Sequence, residues 1–358
     1  MGAMQGQGST IAEDVDGQTT AVIRPMPAWE PYLGWAYLVT LVAAVAFLTW
    51  FPSYAGAYSV TLALIVLMTI SLSSSWNILS GFGGYTSFGH AGFFGIGTYV
   101  GSLLIYYDKL SWIPAVIIAG LSTALVALVM GYPALRLRGP YFAVAMLAFS
   151  ELFRVIVTSW SSLTLGGRGV YLPIVRLERV EDGASWWESF TAQLHNNQNY
   201  YAMLIVAVLA VALAYAIGTS SFGLKLLAIR DDEVAAQAMG IQVVRVKIVA
   251  FALSAFFPGI AGAIYAQKVG FIQPITVFAV IWSIRSIATA IFGGQGTILG
   301  PILGAVVLTL VSERVWESDP NLYQVIFGGL IVLVVLFMPG GFITLLQGWG
   351  VLPRSRRL

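Results

Sequence analysis

His90, Glu151, Arg154 and Arg285 are ionisable side chains inside long apolar runs. Such groups are rare within hydrocarbon, and each is by default a candidate for a solute path or an ion pair. Glu151 and Arg154 are three residues apart and can pair on one helix. Arg285, in VFAVIWSIRSIATAIFGG, costs about 2.5–3.5 kcal/mol at mid-membrane on insertion scales, so it needs a partner or water. Glu151 is one candidate partner, a carboxylate on a solute is another, and snorkelling to a surface is the third solution. His90 lies close to Ser87 in GFGGYTSFGHAGFFGIG, residues 81–97. Its imidazole suits either a polar path or a neutral hydrogen bond between helices.

Catalytic chemistry is poorly served by the same inventory. His90 and His195 are far apart, without paired metal-ligand spacing, and Ser87 lacks an evident base. Cysteine is absent, so no disulfide or thiolate metal site exists. No Gly-x-x-x-x-Gly-Lys-Ser/Thr phosphate loop is present, and the chain is expected to be no enzyme. The net charge of +2, without a basic block, gives no support for nucleic acid.

A second group of polar residues stands in SFGLKLLAIRDDEVAAQAMGIQVVRVK, residues 221–247. Asp231 and Asp232 are good N-caps and Gly240 is a good helix stop. Between them Val234, Ala235, Ala238 and Ile241 recur at helical spacing, with Met239 close by. The pattern predicts a helix of two to three turns. A connector resting on lipid headgroups would be rich in Lys and Arg with large apolar residues. The acidic start and small apolar face favour docking into a protein groove.

These residues must be positioned by membrane helices. Of the 358 residues, 58% are hydrophobic and 9% charged, too apolar for a single water-soluble core. Apolar segments lie at 34–51, 57–79, 85–107, 112–133, 140–160, 200–219, 245–267, 275–293, 297–315 and 321–346, each near the ~20 residues a crossing needs. The fold class is an all-α polytopic membrane protein of about ten transmembrane or partly re-entrant helices. The segments at 85–107 and 275–293 are the candidates for re-entry. Residues 1–30 are polar and read as a disordered cytoplasmic tail, 31–350 as the transmembrane domain, and 351–358 as a basic C-terminus.

Basic flanks set the orientation. Arg354, Arg356 and Arg357 place the C-terminus in the cytoplasm. Counting back, 220–244 is cytoplasmic, with Lys225 and Arg230 inside it and Arg245 and Lys247 just beyond; so is 134–139, with Arg136 and Arg138. The loop 161–199, with Trp186 and Trp187, falls outside, and ten crossings put both termini inside. The glycines of 81–97 allow two readings. They let helices approach closely, or they mark non-helical backbone over 81–90 beside a water-filled path.

Four co-linear motifs, spread over roughly residues 60–345, give a resemblance. AIRDDEVAAQAMGI (228–241) resembles the coupling loop of permeases of branched-chain amino acid ABC importers, the LivM-type subunit, with Gln237 where that family usually has Glu. GYTSFGHAGFFGIGTYV (84–100) resembles its Gly-x-x-Ser-x-Gly-His-Ala-x-Phe-x-Gly-x-Gly motif. RLRGPYFAVAMLAFSELFR (136–154) and FGGQGTILGPILGA (292–305) resemble two further segments. Departures are Tyr85 for a common Gln, Phe88 for Leu, and Arg285 where a Glu is frequent.

The resemblance implies a mechanism. Two permease chains form the path, here with a LivH-like partner. Two ATP-binding subunits dock on the coupling segment Arg230, Asp231, Asp232, Glu233, Ala235, Ala236, Met239 and Gly240. They use ATP and magnesium, while this chain holds no cofactor. A substrate-binding protein delivers solute from outside the bacterial or archaeal cytoplasmic membrane. Tyr85, Ser87, Phe88, His90, Phe93, Glu151, Arg154 and Arg285 are the implied path residues. The expected solute is a branched-chain or related hydrophobic amino acid. The alternatives are urea or short amides, or carboxylates, and, from a different class, an ion-coupled carrier or channel.

Overall fold

The computed structural model describes residues 10–11, 21–22, 43–108, 110–137, 139–172, 194–318, 328–329 and 341–348. Most of the expected tail, Arg138, Trp186, Trp187, most of the segment 321–346 and the basic C-terminus lie outside these residues. Residues 1–54 and 55–358 form two units. In the first, β1 (Thr10–Ile11) pairs antiparallel with β2 (Ala21–Val22), Thr10 opposite Val22. The same unit holds the apolar helix α1 (Ala43–Ser53).

The second unit is a helical bundle. Its elements are α2 (Ala57–Trp76), which runs on as a wider π-turn over Asn77–Phe82, α3 (His90–Tyr106), α4 (Trp112–Ala134) and α5 (Pro140–Ser159). Then follow α6 (Gln198–Thr219), α7 (Ser221–Asp231), α8 (Glu233–Ala238) and α9 (Val243–Val269). The described chain closes with α10 (Ile281–Gly293), α11 (Leu299–Ser318) and α12 (Gly341–Gly348).

Six stretches among the described residues are long and apolar enough to cross a membrane: Ala57–Phe82, Trp112–Ala134, Pro140–Ser159, Gln198–Thr219, Val243–Val269 and Pro274–Gly293. The chain is an integral membrane protein. Of the ten expected crossings, the first half of 34–51 and most of 321–346 fall outside the described residues. The segment 85–107 is helical only from His90, leaving α3 with 17 residues. The segment 297–315 is helical but carries Glu313 and Arg314. The segment 275–293 is broken, a turn at Pro274–Val277 preceding α10.

The long α9 is the axis of the bundle, packed against α3 and α4. Small residues permit that. A methyl on Gly97 of α3 would stand 2.2 Å from the carbonyl oxygen of Gly259 in α9, so these backbones touch. Close approach of this kind drives helix association in lipid.

Chain direction gives the unit two ends. At one, Arg230 reaches Gly81, and Tyr85 reaches Glu233 and Lys247. At the other, β3 (Val170–Tyr171), beyond α5, pairs antiparallel with β4 (Phe271–Ile272), beyond α9.

Candidate functional site

The backbone between α2 and α3 leaves the helical form at residues 84–88, and Gly84 turns it with φ of +76°. Non-helical backbone is tolerated at membrane depth only where its polar groups find partners. Here protein groups supply them. Ser80 Oγ donates to the Tyr85 carbonyl at 2.7 Å and accepts from the Ser87 amide at 3.3 Å. Trp76 Nε1 donates to the Ser87 carbonyl at 2.9 Å. Ser283 Oγ, on α10, donates to the Phe88 carbonyl at 2.6 Å and accepts from the Ala91 amide at 2.8 Å. The turn is therefore stapled to both α2 and α10.

The π-turn that leads into it is held just as closely. Asn77 Nδ2 donates to the Thr297 carbonyl at 2.7 Å, and Asn77 Oδ1 accepts from the Gly296 amide at 2.8 Å. Arg230 Nη1 donates to the Gly81 carbonyl at 2.7 Å. Wider turns of this type recur at functional positions in helices.

Tyr85 projects from the turn into a ring of three polar groups. Its hydroxyl donates to Glu233 Oε2 at 2.5 Å. Lys247 Nζ donates to Glu233 Oε1 at 2.6 Å and to the Tyr85 hydroxyl at 2.5 Å. The ammonium also lies 4.2 Å from the Tyr85 ring centroid, within cation–π range. Lys247 is only 2% exposed and Glu233 24%. An ammonium this deep persists because its charge is matched and hydrogen-bonded. Glu233 opens α8, Lys247 sits in the second turn of α9, and Tyr85 lies in the turn, so three segments meet here.

Helix α8 has six residues, shorter than the expected two to three turns, but its ends are the expected ones. Asp232 caps it, Oδ1 accepting from the amides of Val234 at 2.8 Å and Ala235 at 3.0 Å. Gly240 stops it with φ of +83°. Its outward face carries Val234, Ala235, Ala238 and Met239, Met239 being 84% exposed. Ala236 is turned inward and buried, whereas Ala235 is exposed. Asp231 is exposed and sits just before the cap.

The expected path residues separate into distinct environments. Ser87 and His90 are fully buried within the chain, and neither His90 ring nitrogen has a hydrogen-bond partner among the described residues. Phe93 belongs to an aromatic core with Phe149 and Phe251, at centroid distances of 5.4 and 5.3 Å. Phe88 is half-buried beside Ser283. Glu151 and Arg154 pair with each other on α5, Arg154 Nε donating to Glu151 Oε2 at 2.8 Å. Glu151 is thus engaged on its own helix. Arg285 lines a cavity on the far side of the bundle, together with Glu313 of α11.

Asn77, Lys247, Ser283 and Glu313 escaped the sequence reading. Lys247 reads as one more basic flank of a membrane helix, and its only sequence signal is its place on the bundle-facing side of α9. Asn77 signals itself weakly, as an amide inside an apolar run.

The sequence profile of a family described as branched-chain amino acid transport system / permease component matches residues 57–335. The chain is 30% identical over 321 residues to the high-affinity branched-chain amino acid transport system permease protein LivM of Salmonella typhimurium, covering 86% of this chain and 74% of that one. The Escherichia coli LivM is 29% identical over 85% of this chain and 74% of its own. The autoinducer 2 import system permease protein LsrC of Yersinia enterocolitica is 29% identical over 56% of this chain and 59% of its own. No solved structure matches the chain.

Proposed function

Because the chain belongs to the family of branched-chain amino acid transport system permease components, we propose that it forms half of the translocation path of an ATP-driven importer of branched-chain or related hydrophobic amino acids. The observation that carries this reading is the ring of Tyr85, Glu233 and Lys247. It fastens a short surface helix to the non-helical backbone at 84–88, between the apolar helices α2 and α3. That is the connection a transporter needs if force applied at the surface is to alter the interior.

Partner ATPases dock on the exposed face of α8, with Val234, Ala235, Ala238 and Met239 entering a groove. The end of the bundle carrying α8 faces the cytoplasm, in keeping with Arg136, Lys225, Arg230 and Arg245. When ATP draws the two ATPases together, α8 moves. Glu233 passes the displacement to α9 through Lys247 and to the 84–88 turn through Tyr85. Arg230 carries it to the π-turn at Gly81. A second permease chain completes the path, and a binding protein presents solute at the β3–β4 end. Hydrolysis belongs to the partner chains, and the cofactors, ATP and magnesium, are theirs.

The test is co-expression of this chain with its neighbouring transporter genes, purification through this chain, and ATP-driven uptake in proteoliposomes. Two ATPase subunits should copurify, and leucine, isoleucine or valine should accumulate only with ATP and the binding protein. Accumulation without ATPase subunits would replace the reading with a carrier or channel. Uptake confined to urea, amides or carboxylates would discard the assigned solute.

A further inference from the structure

A cavity of about 310 Å³ opens among α2, α9, α10 and α11. That is the low end of the range for small-molecule sites, enough for one compact solute. Its polar lining holds one group of each charge, Arg285 from α10 and Glu313 from α11, with the hydroxyl residues Thr309 and Ser312 beside Glu313. Its apolar lining includes Met68 of α2, Trp282 of α10 and Leu308 of α11. Residues 309, 312 and 313 share one face of α11, and 285 and 289 one face of α10, so both charges are presented from facing helices. Arg285 lies 5.7 Å from the Trp282 ring centroid, and Glu313 accepts from the Tyr58 hydroxyl at 3.3 Å.

The depth of the cavity matters. Thr69 lies roughly 15–20 Å along α2 from Gly81, and Glu313 about 20 Å along α11 from Leu299, at 1.5 Å per residue. Gly81 and the start of α11 belong to the α8 end, near Arg230. Tyr265, also on the lining, is one turn from the β4 end of α9. The cavity therefore sits in the half of the bundle remote from α8.

We propose that this cavity is a solute site for a zwitterionic α-amino acid with an apolar side chain. The Arg285 guanidinium takes the carboxylate, the Glu313 carboxylate takes the ammonium, and Trp282, Met68 and Leu308 receive the side chain. The balance of charge selects the class. A dicarboxylate brings a second negative charge towards Glu313, and a cation meets Arg285. The inference rests on the importer reading and names the class of solute for it.

The experiment uses the complete reconstituted importer with saturating binding protein. R285Q and E313Q should each lower ATP-driven leucine uptake at least about tenfold, the loss that follows from removing one hydrogen bond to a charged group. Copurification of the ATPase subunits with each variant should persist, which separates loss of the site from loss of assembly. S312F, which adds bulk without altering charge, should also block uptake. The chain has no cysteine, so S312C gives a single reporter in it. Leucine should protect that thiol from a small alkylating reagent, and urea should not. Normal uptake by R285Q and E313Q, or no protection of S312C under conditions that saturate uptake, would overturn the site while leaving the importer reading intact. Failure of the wild-type complex to move any amino acid would overturn the importer reading instead.

Discussion

Lys247 Nζ lies 2.6 Å from Glu233 Oε1, and the lysine is buried while the glutamate keeps contact with the surface. The pair is therefore asymmetric. Removing the glutamate strands an ammonium inside the bundle, a change that costs about 3–5 kcal/mol. Removing the lysine leaves a carboxylate that can turn towards water. Glu233→Ala should lower the thermal midpoint of the purified importer well below that of Lys247→Met. The double variant Glu233→Gln with Lys247→Met should recover much of the loss, with a coupling energy of roughly 0.5–3 kcal/mol between the sites. Equal effects of the two single changes would show that Lys247 finds another anion.

The two alanines of α8 separate docking from folding. Ala235 is exposed and Ala236 is buried at 4%. Ala235→Glu should leave the chain folded in detergent while abolishing copurification of the ATPase subunits. Ala236→Leu should overpack the joint between α8 and the bundle, costing about 1–3 kcal/mol, and lower the thermal midpoint of the isolated chain. Retention of the ATPases by Ala235→Glu would move the docking surface elsewhere.

Legibility in the sequence followed the range of the interactions. The cap at Asp232, the stop at Gly240 and the Glu151–Arg154 pair all act within four residues, and the sequence pattern contains them. The break in helix was legible only in part: the reading spanned 81–90 beside a water-filled path, whereas residues 81–83 and 90 are helical and protein groups satisfy the 84–88 backbone; the close-approach reading of the glycines fits Gly97, which meets Gly259 backbone to backbone. The ring at Tyr85 was not legible. Its members are separated by up to 162 residues, and nothing local distinguishes a buried lysine from a basic flank. The path assignment of Phe93 rested on a motif, whereas its ring packs between Phe149 and Phe251. Arg285 was recognised as needing company, but Glu313, which shares its cavity, lies 28 residues away on the next apolar segment, and nothing local pairs the two.

Asn77 links the π-turn to the loop before α11 through both ends of one amide. Asn77→Leu keeps approximate size and removes both bonds, leaving the Thr297 carbonyl and the Gly296 amide without that partner. Each orphaned group costs roughly 1–3 kcal/mol. The variant should lose stability, and limited proteolysis should newly cut near residues 294–298. An unchanged midpoint and cleavage pattern would mean that the loop is held by its own backbone bonds, such as the Thr297 amide to the Gly294 carbonyl at 3.4 Å.

Gly97 tests how much of the fold depends on the approach of α3 to α9. A Cβ there would lie 2.2–2.5 Å from three backbone atoms of Gly259, none of which can rotate away. Gly97→Ala must therefore push two helices apart, and the loss should reach or exceed the usual 1–3 kcal/mol of overpacking. Gly56→Ala is the matched control, because its added methyl meets nothing within 4 Å and its φ of −66° suits alanine. Size-exclusion chromatography in detergent should give a monodisperse chain for Gly56→Ala and a diminished or aggregated one for Gly97→Ala. Indistinguishable profiles would mean that α9, which carries Pro258 inside the helix, can yield at this contact, and the glycine would then serve movement between the helices rather than their static packing.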